Sequence, residues 1–301
     1  MSHMLFLLLI VYDLVPAALG LEKVLHVPGE YLTFQAAIDA AENGDTVKLA
    51  PGVYRGPGNR DLLLVEKSII SIGEAGPEST IIDCEGQGRG LEVRGMGANG
   101  AVISGLTIQN GADVSGGGIL CIYASPRLEH LILQENQAFL GGGITVIGAS
   151  PRMKNCVLTH NLATFHGGGF YVDGSGDEAG NPGAWPVFED VLIAYNLSRN
   201  IGGGGYSQNA SIMVLNRCRF QGNAAASGFG SGFFSHEEDS FVTIQECEFR
   251  DNGGFAIECD ASSPAIDGCA FTWNGGMHGG VLSLSKDSRP RVTNCVLAGN
   301  F

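Results

Sequence analysis

Basic residues are scarce in this chain. Its 301 residues include 17 Lys and Arg against 31 Asp and Glu, a formal net charge of −14. So acidic a surface repels phosphate backbones and anionic lipid, which argues against nucleic acid and acidic membranes as partners. It argues equally against a bare polyanion such as pectate, unless a divalent cation bridges the two. Long apolar runs are missing as well. The stretch LFLLLIV at residues 5–11 is too short to cross a bilayer, and no membrane span is expected elsewhere. There is no Cys-x-x-Cys pair and no Cys/His cluster, which argues against the usual metal-binding frameworks.

What the chain has is glycine, 46 residues of it, and one unit written seven times between Gly116 and Phe301. Each unit opens on a glycine cluster and closes on Asn: Leu131–Asn136, Cys156–Asn161, Val191–Asn196, Cys218–Asn223, Cys247–Asn252, Cys269–Asn274 and Cys295–Asn300. The successive Asn lie 25, 35, 27, 29, 22 and 26 residues apart, a period that marks a stacked repeat rather than an ordinary globular core. Inside the unit, Arg217-Cys218-Arg219-Phe220-Gln221 and Glu246-Cys247-Glu248-Phe249-Arg250 alternate polar and apolar residues. That is the two-residue period of a strand with one buried face. Short strands with Gly and Asn at the corners predict an all-β solenoid, the parallel β-helix, whose coils stack ~4.8 Å apart. The Asn column is expected at a corner, bonding along its own stack and taking the left-handed backbone that Asn tolerates.

The motif FxxN (Phe220 to Asn223, Phe249 to Asn252, Phe271 to Asn274) and the GGxI-like clusters Gly141–Ile144 and Gly167–Phe170 resemble the repeats of chlamydial polymorphic outer membrane proteins. More broadly, residues 22–301 resemble the pectin-lyase-like superfamily of right-handed β-helices. That resemblance implies a fold and leaves activity open, because the superfamily holds lyases, hydrolases, esterases, adhesins and inert scaffolds. The segments Pro51-Gly52-Val53-Tyr54-Arg55 and Ile72-Gly73-Glu74-Ala75-Gly76 are similar to the opening of pectin methylesterases. No later match to that family's catalytic strands follows, nor to the polygalacturonase set; His278 in Met277-His278-Gly279 is a near miss.

Residues 1–20, with the apolar run and Pro16-Ala17-Ala18-Leu19-Gly20, read as a signal peptide, and hence as a secreted or cell-surface protein. A buried first strand is the alternative. Residues 21–54 are expected to form an N-terminal cap of one strand and one amphipathic helix. Phe34, Ala37, Ile38 and Ala41 share a face of that helix, Thr33 is its N-cap and Gly44 its stop. Residues 55–301 are expected to be coils. The end at Asn300-Phe301 follows directly on a closing motif, so a continuation of the chain, or a partner meeting this edge end to end, is expected there.

Eight cysteines invite a disulfide reading, but register opposes it. Cys156, Cys218, Cys247, Cys269 and Cys295 all sit five residues before the closing Asn, where stacked side chains run parallel at ~4.8 Å, beyond the ~3.8 Å Cβ separation of a bridge. A file of buried thiols is expected, with Cys121 and Cys259 on another inward position and Cys84 undecided.

Counting from each glycine cluster separates two faces. The inward pairs are Ile119/Cys121, Ile144/Val146, Phe170/Val172, Gly205/Ser207, Phe233/Ser235, Ile257/Cys259 and Val281/Ser283. The outward pairs include Tyr171/Asp173, Tyr206/Gln208, Phe234/His236, Glu258/Asp260 and Leu282/Leu284. Four consecutive coils therefore offer aromatics beside polar groups, which suits a polysaccharide or cell-surface glycan whose C–H faces stack on rings. An ordinary solvated sheet face has the same composition. Glu258 and Asp260, ~7 Å apart on one strand face, match the ~6.5–9.5 Å separation of an inverting glycosidase pair, with His236 one coil away to orient or protonate a neighbour. No Arg or Lys lies in this strip, which counts against a lyase. Asp173, Ser175 and Asp177, in a Gly-rich insertion, place oxygens at alternate positions as a calcium loop does; a surface loop is the plainer reading, and no other cofactor is expected. Two functions remain: glycan or partner binding along the strip without catalysis, preferred here, and an inverting glycoside hydrolase using Glu258, Asp260 and His236.

Overall fold

A computed structural model describes residues 22–176, 183–237, 240–276 and 279–301. The presumed signal peptide, Asp177 and His278 lie outside these residues. The strands stack into four parallel sheets of eleven, ten, five and nine strands, here sheets 1 to 4 in the order the chain visits them. One coil shows the path. Arg127–Glu129 lies in sheet 1, Ile132–Gln134 in sheet 2, Gln137–Leu140 in sheet 3 and Ile144–Ile147 in sheet 4. The chain then re-enters sheet 1 at Arg152–Lys154, in register with Arg127–Glu129. This is the expected parallel β-helix.

The alternation read from sequence decides which side chains go in. Met153, Phe220 and Phe249 are the middle residues of three-residue strands, and all are buried between polar neighbours. Because the coils are in register, like stacks on like: the rings of Phe220, Phe249 and Phe271 follow one another at 4.6 and 5.1 Å. The thiols form the expected file. All eight cysteines are free, seven of them buried, and the Cys218 amide donates to Cys247 Sγ at 3.3 Å. Burial pushes the thiols of Cys84, Cys121 and Cys259 up to about 12.

The Asn column lies at the corner between sheets 2 and 3 and bonds along its own stack, as expected, but with its side chains buried. Asn136, Asn161, Asn196, Asn223, Asn252 and Asn274 are buried inside the solenoid. Each Nδ2 donates to the Oδ1 of the next Asn at 2.8–3.1 Å, as far as Asn300. The same Oδ1 accepts the preceding Asn's backbone N–H. The left-handed backbone belongs instead to the residue just before: Glu135, His160, Tyr195, Gly222, Asp251, Trp273 and Gly299, with φ between 54° and 66°. Turning the corner one residue early aims the Asn side chain inward, where its amide satisfies backbone groups that the interior cuts off from water.

In the last coil the expected faces are reversed. Leu282 pairs with Ile257 and Leu284 with Cys259, so the leucines continue the inward column, while Ser283 and Ser285 stack on Glu258 and Asp260. The glycine cluster is one residue further from the strand here, and a one-residue slip moves every side chain to the other face. At the other end, helix α1 (Phe34–Ala40) begins at Thr33, whose hydroxyl accepts the Ala36 N–H, and buries Phe34, Ala37 and Ile38 in the core.

Candidate functional site

The outward face of sheet 4 brings together most of the residues singled out above. Its strands Phe170–Asp173, Gly205–Gln208, Phe233–His236, Phe255–Asp260 and Gly280–Ser285 pair in order. Tyr171, Tyr206, Phe234, Glu258 and Ser283 therefore form one column. Asp173 pairs with Gln208, and His236, Asp260 and Ser285 follow one another, in a second column beside it.

The first column does not face water. Tyr171, Tyr206, Phe234 and Glu258 retain only 4, 3, 6 and 7% of their surface. This corrects the expectation of an exposed aromatic strip, and the cause is the glycine cluster itself. Gly167, Gly202 and Gly230 take φ of 70°, 70° and 54°. A Cβ there would lie 3.1, 2.9 and 2.7 Å from the Cβ of Tyr171, Tyr206 and Phe234 respectively. The bare backbone thus folds back directly over each ring. It carries Leu140, His166 and Ile201, the residues just ahead of the glycines, onto the ring column as a lip. Beneath it the rings stack on one another, Tyr171 on Tyr206 at 5.5 Å and Tyr206 on Phe234 at 5.3 Å, and His166 lies parallel to Tyr206 at 4.6 Å. Their faces are spent on each other, so a sugar cannot lie flat on them.

The second column is half-exposed and wired together. Asp173 accepts from Asn209 Nδ2 at 2.9 Å and Gln208 Nε2 at 3.4 Å. The Tyr206 hydroxyl reaches Gln208 Oε1 at 3.1 Å and His236 Nδ1 at 3.3 Å. His236 Nε2 lies 3.3 Å from Asp260, which also accepts from Lys286 Nζ and Ser285 Oγ, both at 2.8 Å. Lys286 is the basic residue the strip was expected to lack. It, Ser285, Asn209 and His166 escaped the sequence reading, the first two because of the register reversal.

Electrostatics set the two carboxyls apart. Burial pushes Glu258 up to about 7; the Asp260 charge adds to this, while hydrogen bonds from Ser283 and the Gly230 N–H oppose it. Among the described residues its Oε2 has no partner. Asp260 is also raised by partial burial, but its bonds from Lys286 and Ser285 outweigh this and hold it below the usual range. Burial, with the nearby His236, lowers His166 to about 4, so it is neutral at pH 7. The arrangement pairs a buried carboxyl that titrates near neutral pH with an ionised, cation-bound carboxylate outside it, the kind of separation acid–base sites use.

Of the calcium-loop residues, Asp173 and Ser175 are described and Asp177 is not. Asp173 Oδ1 accepts from the Ser175 N–H at 2.9 Å and its hydroxyl at 2.6 Å, closing a local turn in addition to its bond from Asn209. Among the described residues no three His, Cys, Asp or Glu side chains converge as metal ligands.

The family described as "Right handed beta helix region" matches residues 188–297. Pectate lyase Pel9A superposes with a TM-score of 0.55 at 13% identity, over 91% of this chain and 78% of that one. The mannuronan C-5 epimerase AlgE4 A-module of Azotobacter vinelandii gives 0.38 at 13% identity, over 88% of this chain and 90% of that one. Pectin methylesterase from carrot gives 0.37 at 15%, over 94% and 85%. No curated protein sequence matches the chain. At these identities the likeness is one of fold.

Proposed function

Starting from a right-handed parallel β-helix of pectin-lyase-like type, we propose that this is a secreted or cell-surface protein that binds polysaccharide along the half-open polar column of sheet 4, without chemistry. The observation that carries the reading is the continuity of that column. Asp173, Gln208, His236 and Asp260, on four successive coils, form a half-exposed line of hydrogen-bonding groups, whose bonds to one another the hydroxyls of an extended chain would share or replace. The acidic surface favours a neutral polymer over a uronate. The aromatic column contributes by stiffening the floor rather than by stacking on the sugar. The extracellular placement is supported by the leader-like stretch at residues 5–20.

A second reading rests on Glu258. A carboxyl held near 7 beside an ionised Asp260 is an acid and base pair, and hydrolysis would follow if the lip opened to admit a glycosidic oxygen. One experiment covers both. Neutral and acidic polysaccharides are tested for retardation of the protein in affinity gels and for reducing-sugar release. Retardation by a neutral polymer, lost in His236→Ala and Asp260→Asn with unchanged circular dichroism and no release, is the expected result. Release that Asp260→Asn or Glu258→Gln abolishes selects hydrolysis. No retardation by any polymer, and no release, defeats both.

A further inference from the structure

A separate feature lies around the corner, where sheet 2 passes into sheet 3. A shallow concavity of about 580 Å³ is lined by Asp83, Glu85, Asn110, Glu135 and Gln137. A second, of about 270 Å³, is lined by Asp113, Val114, Phe139 and Thr164, and shares Ala112 and Gln137 with the first. The two are therefore one trough crossing successive coils. Its volume falls in the ~300–1,000 Å³ range of small-molecule sites.

The origin of the second hollow is legible in the register. Asp113 pairs with Ala138 and Ser115 with Leu140, which sets Val114 beside Phe139 in the outward column of sheet 3. On its far side Phe139 stacks on Phe165 at 4.8 Å, the planes 6° apart. A ring thus follows Phe139 in the stack, but only a valine precedes it. The narrower side chain leaves one ring face open, and Phe139 is 46% exposed. This contrasts with sheet 4, where the rings are sealed beneath the lip.

The rest of the lining states what kind of ligand suits that ring. Gln137 and Glu135 are exposed at the junction. Asp83, Glu85 and Asp113 are already engaged, by Arg55, Arg60 and Arg89 respectively, and are fixed in place as acceptors. No Lys or Arg lines either hollow. A bare aromatic face beside an amide and several acceptors fits a pyranose, which presents C–H groups to a ring and hydroxyls around its rim. A uronate would meet Glu135, and the three arginines nearby are already paired with Asp83, Glu85 and Asp113.

We propose that this trough is a second saccharide site, distinct from the sheet 4 column, in which a neutral pyranose stacks on Phe139 and bonds Gln137 and Glu135 through its hydroxyls. It stands or falls independently of the reading given to sheet 4.

The test uses the full chain and hexasaccharides of xylose, glucose and galactose, with hexagalacturonate as the anionic comparison, measured by titration calorimetry. At least one neutral hexasaccharide is expected to bind, more tightly than hexagalacturonate. Phe139→Ala is expected to weaken this binding about tenfold, equivalent to ~1.4 kcal/mol. Ala112→Arg, which fills the junction of the hollows without touching the ring, should abolish it. Asp260→Asn, confined to sheet 4, should leave the component that depends on Phe139. The proposal is overturned if no neutral hexasaccharide binds, if hexagalacturonate binds best, or if both trough variants, folded by circular dichroism, bind as the unaltered chain does.

Discussion

Replacing Asn196 by Ala tests the account of what holds the coils in register. Asn196 makes four side-chain bonds in the interior. Its Nδ2 donates to Leu158 O at 2.9 Å and to Asn223 Oδ1 at 3.1 Å, and its Oδ1 accepts the Asn161 N–H and Nδ2, each at 3.0 Å. Truncation leaves two buried donors on Asn161, the backbone N–H and one Nδ2 hydrogen, without partners, while the Leu158 carbonyl loses its side-chain bond and stays in the sheet ladder. Asn223 Oδ1 keeps the backbone N–H of residue 196. Orphaned buried groups cost ~1–3 kcal/mol each, so two of them set about 2 kcal/mol as a floor. A loss much above ~5 kcal/mol is exceptional for one residue. The variant is therefore expected to lose about 2–5 kcal/mol in urea unfolding followed by circular dichroism, with the denaturant slope watched for loss of cooperativity, as a repeat array demands. Adding Asn161→Ala should cost less than its own separate effect, because the side-chain donor orphaned by the first change is then gone. Amide exchange at residue 161 gives a local readout and should accelerate in the single variant. A loss under ~1 kcal/mol, with the residue 161 amide still protected, would show that the ladder is incidental to stability.

Three further outcomes follow from the same structure. Gly167→Ala should destabilise the chain by more than ~2 kcal/mol in the same assay, since it combines a left-handed residue with a Cβ 2.2 Å from the Phe170 carbonyl oxygen; a variant as stable as the parent would mean the lip is loose. Ellman titration of the native chain should find one fast thiol, Cys295, the only cysteine not fully buried, and all eight in denaturant; several fast thiols would contradict the internal file. The pH dependence has two opposed parts. Glu258, raised from 4.5 to about 7 in the fold, makes stability fall as pH rises across that window, whereas His166, lowered from 6.5 to about 4, makes it rise with pH between those values. Glu258→Gln should therefore leave a melting temperature that climbs from pH 4 to 6.5 and then holds; a variant curve parallel to the parent's would disprove the assignment.

The fold was readable because its signals repeat. A single Cys-x-Phe-x-x-Asn stretch is compatible with many structures, but copies spaced by one coil reinforce one another, and burial then follows the two-residue alternation. The errors occurred where one residue of spacing decides the answer. The left-handed backbone falls one residue before the Asn, and Gly222 and Gly299 at that position mark it in the sequence: a side chain there would meet the Tyr195 and Trp273 rings at 2.6 and 2.7 Å. The last strand was counted from its glycines, although Leu282 and Leu284 are the side chains the interior would choose. In both cases the local count competed with a chemical preference, and the preference decided.

The candidate site was harder to read for a reason specific to solenoids. Alternation reports which side of a strand faces the core, and it reports nothing about what lies over the other side. Tyr171, Tyr206, Phe234 and Glu258 do point outward, yet they are covered, because three glycines with left-handed backbone bring the preceding strand across them. The sequence does hold the clue. Leu140, His166 and Ile201 each stand immediately before a glycine cluster, and all three land on the ring column. The lip changes the chemistry as well as the burial. An exposed Glu258 would be an ordinary carboxylate, but buried beside the Gly230 backbone it is held near 7 with an unpartnered oxygen, while Asp260, two residues on and more open, stays charged against Lys286. Two carboxyls on one strand face thus come to differ through the path of a different segment of chain, a relation no pattern within their own strand could express.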